Sequence, residues 1–179
     1  MNVNKWGPGA WDFLHSMTFN YPLNPTQIDK NNYSNYFNSL SKMLPCKYCK
    51  QSYEIYIKYI PIGSFLDSRE GVCYWLYKIH ELINQKIFKK NISFKEVITK
   101  YETFRAKCGK ITVNDGDVKK KYNSCQKNIK SDDEYIEIFL KKSYSYDCII
   151  NSMIKKLYKS SENPNIDTSK KIKYIIIYS

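Results

Sequence analysis

At 179 residues and 21.3 kDa, with 42% hydrophobic and 26% charged residues, the chain has room for one domain plus a sizeable extension, and wholesale disorder is excluded. A membrane-spanning helix is excluded as well: the longest apolar candidate, Tyr174–Tyr178, is far short of the roughly 20 residues a span needs. Its net charge is +12, carried by 27 Lys and only Arg69 and Arg105, so non-specific nucleic-acid contact is open while base-specific readout, which favours arginine forks, is not expected. Lys, Asn and Ile make 65 residues, and AT-rich codon usage explains much of that charge. No basic stretch followed by an apolar one opens the chain, so no secretory signal is read and a soluble, cytosolically made protein is expected.

Residues 1–105 read as helical. Asn4 and Pro8 suit a helix entry, after which Trp11, Leu14, His15 and Thr18 share one face. Tyr21-Pro22 ends that helix and Asn24-Pro25 opens a second, with Ile28, Tyr33, Tyr36, Phe37, Leu40 and Leu44 as its stripe. A third starts at Pro45-Cys46, runs through Tyr53 and Tyr56, and breaks at Pro61-Ile62-Gly63. Asp67 or Ser68 caps a fourth, whose apolar positions Val72, Trp75, Leu76, Ile79, Leu82, Ile83 and Ile87 follow the 3.6-residue period. Ser93, with Glu96, forms a capping box for a short fifth helix over Phe94–Arg105. The expected fold class is therefore all-α, a four-helix up-and-down bundle plus that short fifth helix. Residues 106–131 read as a basic linker. One further helix is expected over Asp132–Lys159, making 106–179 a basic, partly helical C-terminal extension of unassigned role.

Six cysteines are too sparse for a disulfide scaffold, and a CxxC in a chain without an export signal points to metal or redox chemistry. Pro45-Cys46-Lys47-Tyr48-Cys49 sits at a helix start, where both sulfurs share a face and free N–H groups favour the thiolate of the first cysteine. Lys47 and Lys50 push the same way. The pair alone leaves redox, metal and neither open. Zinc would need two more ligands, and Cys73 and His80 lie about two helical turns apart, too far to share one tetrahedral ion easily, so no metal site is expected. Trp11 and His15 fall at i, i+4. His80 and Asn84 do the same on the fourth helix, with Tyr77 close by. Each such residue alone is an ordinary core position; both of the chain's histidines placed this way, beside a CxxC helix, suggest walls for a planar, polar-edged cofactor.

Trp6-Gly7-x-x-x-Trp11-x-x-Leu14-His15, then Tyr21-Pro22, Pro45-Cys46-x-x-Cys49 and Trp75-Leu76-x-x-x-His80-x-x-x-Asn84-x-Lys86, in that order, resemble the Erv/ALR family of FAD-linked sulfhydryl oxidases. The resemblance covers residues 5–105 and implies a domain at 1–105 that binds FAD non-covalently. It also implies a homodimer that makes disulfides in protein dithiols and passes the electrons to O2, giving hydrogen peroxide. Viral members fit the composition, so a large cytoplasmic DNA virus is the expected source. Host cytoplasm, a virus-assembly site or the virion is the expected location, with the mitochondrial intermembrane space as alternative.

By that resemblance Cys46 and Cys49 form the redox pair, Cys49 against the isoalloxazine ring and Cys46 exchanging with incoming thiols. Gly7, Trp11 and His15 match the flavin contacts of the first helix. Tyr77, His80, Asn84, Lys86 and Lys89 match those of the fourth helix and the turn after it, and Lys100-Tyr101 stands where the family has a basic residue and tryptophan.

Two departures stand out. Glu81 follows His80 where the family commonly has Asn, and Tyr77 and Phe94 occupy the positions of the family's structural disulfide, so packing must hold that join. Cys108 and Cys125 are candidates for a shuttle pair, while Cys73 and Cys148, in apolar helical patterns, are expected to be buried and inert. A basic nucleic-acid-binding protein and a metal-clip interaction module are the rival readings.

Overall fold

The structure, a computed structural model, describes residues 1–104, the backbone of 111–115 and 118–122, and residues 132–161. Five helices come first: α1 (Val3–Phe19), α2 (Gln27–Met43), α3 (Lys47–Tyr59), α4 (Arg69–Lys86) and α5 (Phe94–Thr103), with a 3-10 turn at Ile62–Phe65 between α3 and α4. β1 (Ile111–Asp115) and β2 (Val118–Tyr122) pair antiparallel, Ile111 opposite Tyr122. α6 (Asp132–Tyr144) and α7 (Asp147–Ser161) follow.

Local chemistry explains the ends of these helices. Asn2 caps α1 through its side chain, so the helix starts earlier than the Asn4–Pro8 entry expected, and Pro8 lies within its early turns. Thr26 and Asp29 form a capping box at α2, moving that start two residues past Asn24-Pro25 and leaving Ile28 exposed, off the apolar stripe. Ser68 caps α4, and Ser93 with Glu96 closes the capping box on α5. Ile87 falls past the end of α4 and is exposed as well.

α4 is the central element. Val72, Trp75, Leu76 and Ile79 are fully buried, α4 packing against α1, α5, α6 and the 3-10 turn, and the Trp75 indole donates to the Ile60 carbonyl at 2.8 Å. Phe37 meets Trp75 edge-on with ring centroids 5.1 Å apart, and the Tyr53 hydroxyl donates to the Phe37 carbonyl at 3.0 Å. Trp75 is thus a core residue with a satisfied N–H rather than a cofactor wall. Burying these aromatic surfaces supplies the main drive for assembly.

Three expectations for the other segments need correction. The 106–131 stretch holds the β1–β2 pair rather than only linker. The single helix over Asp132–Lys159 is two, broken at Ser145-Tyr146, where Ser and Asp next to the turn favour caps over helix interior. The break places Tyr146 against the start of α4: its hydroxyl bonds Ser68 at 3.0 Å, and a Cβ on Gly71 would lie 2.6 Å from the Phe65 carbonyl oxygen and 2.8 Å from the Tyr146 ring. Gly71 is what allows that approach. Asp147 accepts from the Tyr74 hydroxyl, Lys142 pairs with buried Glu70 at 3.2 Å, and Phe139 stacks on Phe19 at 5.6 Å. Cys148 is exposed, not buried, whereas Cys73 is buried and its thiol is strongly disfavoured from ionising by desolvation. Cys108 and Cys125 lie outside the described residues.

Where the resemblance implies a structural disulfide, Tyr77 and Phe94 pack with ring centroids 4.9 Å apart. Phe94 also meets Tyr74 edge-on at 5.1 Å, and the Tyr77 hydroxyl donates to the Ile92 carbonyl at 3.1 Å. Ring packing therefore ties α5 to α4. Phe94→Ala is expected to cost about 3–5 kcal/mol in urea unfolding, the usual range for emptying a buried phenyl site. A loss under about 1 kcal/mol would show that the α4–α5 join does not depend on this cluster.

Candidate active site

Cys46 is the N-cap of α3: its sulfur accepts from the Cys49 N–H at 3.3 Å, and the two residues form a disulfide with Cα atoms 5.1 Å apart. The helix begins here because Pro45 precedes the cap and cannot continue α2. Both cysteines are half-buried and line a cavity of about 400 Å³ whose walls are overwhelmingly apolar. Gly7, Trp11 and Lys86 line the same cavity, and the Lys86 ammonium bonds the Ser52 hydroxyl. A Cβ on Gly7 would touch only Val3, at 3.4 Å, so its missing side chain opens space beside the cavity rather than relieving a backbone clash.

A second, more polar cavity of about 150 Å³ is lined by His15, Tyr77, His80, Asn84, Lys100 and Tyr101, together with Glu81, Lys90 and Asn91. A file of rings stands between the two spaces. Trp11 stacks on His80 with centroids 3.7 Å apart and planes 4° from parallel. His15 Nε2 meets His80 Nδ1 at 3.1 Å, and the Tyr101 ring stacks on His15 at 4.8 Å. Asp12 anchors the file, its carboxylate accepting from the Tyr101 hydroxyl at 2.8 Å and from the Lys100 ammonium at 2.6 Å. Lys89 lines neither cavity; it is exposed on the turn after α4, where the Lys89 N–H bonds the Asn84 carbonyl at 2.9 Å.

Three buried polar atoms have no hydrogen-bond partner among the described residues: Trp6 Nε1, His15 Nδ1 and Asn91 Oδ1. Leaving such an atom dry costs about 1–3 kcal/mol, so each is a place where a bound molecule would gain a contact. An apolar slot beside a disulfide, a polar compartment next to it and orphaned donors and acceptors at the walls fit a flat group with polar edges and an anionic tail. Among the described residues no three His, Cys, Asp or Glu side chains converge on a point that could hold a metal ion.

Several wall residues escaped the sequence reading. Trp6 and Ala10 line the larger cavity with Val3, Gly7 and Leu14, and positions 3, 7, 10 and 14 keep helical spacing, so that face was readable. Asp12, Lys90 and Asn91 had no such signal, because their roles depend on where α5 and the turn after α4 fold back.

Both histidines are neutral at ordinary pH. Burial is the largest cause in each: His15 is pushed down to about 3, with His80 adding to the effect, and His80 to about 4, with Lys100 and Lys89 adding. Their folded values lie below the unfolded value of about 6.5, so the unfolded chain binds more protons between them. Stability from the neutral pair is full above about pH 6.5 and is lost as pH falls toward 4. The urea midpoint is expected to decline across that window, and His15→Gln to flatten the decline; a wild-type midpoint level from pH 7 to pH 4.5 would contradict the buried neutral pair.

Residues 8–102 match the Erv1 / Alr family model. The chain is 35% identical over 103 residues to a protein named as a probable FAD-linked sulfhydryl oxidase of Acanthamoeba polyphaga mimivirus, covering 57% of this chain and 72% of the relative. It is 33% identical over 88 residues to the mitochondrial FAD-linked sulfhydryl oxidase of Schizosaccharomyces pombe, covering 49% of this chain and 48% of that protein, so it spans about half the length of that relative. Among solved structures, the FAD-binding domain of Erv1 from Saccharomyces cerevisiae superposes with a TM-score of 0.55 at 27% identity, covering 57% of this chain and 96% of that one. With more than half its residues matched by the family model, the chain belongs to the Erv1 / Alr family.

Proposed function

We propose that this chain is an FAD-linked sulfhydryl oxidase that forms disulfides in protein dithiols through Cys46 and Cys49. The observation that carries the reading is the Cys46–Cys49 disulfide set in the wall of the apolar cavity, beside a second cavity lined with polar groups. FAD is held, on this reading, by Gly7, Trp11, His15, Tyr77, His80, Asn84, Lys86, Lys100 and Tyr101, with Lys89 adding positive charge nearby. Bound there, FAD supplies the two-electron acceptor that restores the disulfide and passes the electrons to O2, giving hydrogen peroxide.

The chain's own residues do the thiol chemistry. A substrate thiolate attacks Cys46 Sγ; the Cys46–Cys49 bond breaks, a mixed disulfide forms and Cys49 departs as a thiolate. A second substrate thiolate then attacks the substrate sulfur of that mixed disulfide and releases Cys46. The result is one substrate disulfide and a reduced pair holding two electrons. Release of Cys46 is assisted where it stands, because its sulfur accepts the Cys49 N–H at the start of α3. Neutral His15 and His80 keep the cavity boundary free of imidazolium charge.

Residues 1–105 form the oxidase unit on this reading, and from the extension α6 buttresses α4 and α5 while α7 packs on α3. A homodimer is part of the proposal, supported by the exposed Phe13, Leu23 and Ile28 on and between α1 and α2. The viral relative and the AT-rich composition favour a virus-assembly site in host cytoplasm, the mitochondrial relative the intermembrane space; immunolocalisation decides between them.

Oxygen uptake with dithiothreitol tests the reading on purified protein. Wild type is expected to be yellow, to consume O2 and to sediment at twice the 21.3 kDa chain mass, and Cys49→Ala to keep the flavin while losing at least about a hundredfold in rate. A folded chain that FAD neither colours nor stabilises would sink it, and a Cys49→Ala variant of undiminished rate would remove the pair from the mechanism.

A further inference from the structure

The larger cavity is walled by residues from three stretches, 3–14, 40–53 and 83–87. Those stretches carry five lysines and a single carboxylate, Asp12, which is taken up by Lys100 and Tyr101. Lys42 is paired with Glu54, and Lys86 belongs to the proposed cofactor contacts. Lys5, Lys47 and Lys50 have no ion-pair partner among the described residues. Lys47 stands between the two cysteines and Lys50 directly after the second, so two ammonium groups without a counter-charge flank the disulfide. The start of α3 adds partial positive charge at the same place.

Apolar side chains stand beside this charge. Tyr48, also between the cysteines and on the cavity wall, is 58% exposed, and exposed Met43 and Phe88 adjoin the wall residues Leu44 and Ile87 in sequence. Val3 and Ile87 line the cavity and remain exposed.

We propose that this mouth docks an extended dithiol segment of a substrate protein whose reactive cysteine is flanked by Asp or Glu and by an apolar side chain. The inference rests on the oxidase reading above. Carboxylates of the segment meet Lys47 and Lys50, and its apolar side chain covers Tyr48. The segment's thiolate reaches Cys46 Sγ for the exchange already described. Uncompensated charge of one sign around a reactive centre raises encounter rates with opposite charge by about 10- to 1,000-fold, and salt removes the effect. A segment with basic flanks meets the same lysines as repulsion, so discrimination comes from both signs.

The test uses the full flavin-loaded chain and two synthetic dithiol peptides identical except for Glu or Lys at the flanking positions, with dithiothreitol as a neutral control. At low ionic strength kcat/KM for the Glu peptide is expected to exceed that for the Lys peptide by about tenfold or more, and the ratio to shrink toward one at high salt. Lys47→Glu with Lys50→Glu is expected to invert it. Because the ratio is taken within one protein, any change these substitutions make to the cysteines or to folding cancels. A wild-type ratio near one, or a preference for the Lys peptide, overturns the docking surface while dithiothreitol oxidation leaves the oxidase reading standing. A wild type that oxidises none of the three overturns both.

Discussion

The carboxylate of Asp12, on α1, accepts from Lys100 and Tyr101 of α5, and the geometry between the two cavities depends on that join. Through it the Tyr101 ring is laid on His15, His15 is bonded to His80, and His80 is pressed flat against Trp11. Three helices thus meet in one file of four rings. Each stacked contact is worth only about 0.5–1.5 kcal/mol. What the file provides is position: rings whose planes are set by neighbours on both sides lose little freedom when a flat ligand joins them. Asp12 is held ionised by the same partners, its carboxyl lowered first by the hydrogen bond from Lys100 and then by that from Tyr101.

A wall of this kind needs α4 and α5 fixed relative to each other without a covalent tie. The Tyr74, Tyr77 and Phe94 cluster supplies that on one side, and α6 closes over it through Phe139 and Tyr144. Phe139 reaches both Phe94 and Phe19, while Lys142 and Asp147 bond Glu70 and Tyr74 near the start of α4. The extension is therefore structural where it is described, and the site at the other end of α4 inherits its rigidity. Charge follows a different logic. The ion pairs of α6 lie far from the cysteines in sequence, whereas the cavity mouth keeps lysines without counter-charge, in keeping with a surface meant for a partner rather than for folding.

Much of this was legible in the residues. Period 3.6 on α4, the Ser93–Glu96 capping box and the CxxC after a proline each follow from local rules that tertiary context did not override, and Cys46 took the cap position its sulfur suits. Trp11, His15 and His80 lie together as the spacing suggested, and Tyr101 joins them where the resemblance put it. Local rules failed where a contact between distant segments decided the outcome. The turn at Ser145-Tyr146 sets Tyr146 against Gly71, a contact no local pattern announces, and Cys148 beyond it is exposed. Asp12 gave no sign at all: a lone carboxylate beside a tryptophan acquires its meaning only when Lys100 folds back onto it. The β1–β2 pair was hidden by a lysine-rich composition that reads as linker.

Titration of flavin-free chain with FAD, followed by quenching of flavin fluorescence, tests most directly whether the Asp12-anchored ring file is what receives the cofactor. Asp12→Ala, with helical content unchanged by circular dichroism, is predicted to weaken binding by about tenfold, the equivalent of about 1.4 kcal/mol. An Asp12→Ala chain that binds FAD as tightly as wild type would contradict the account.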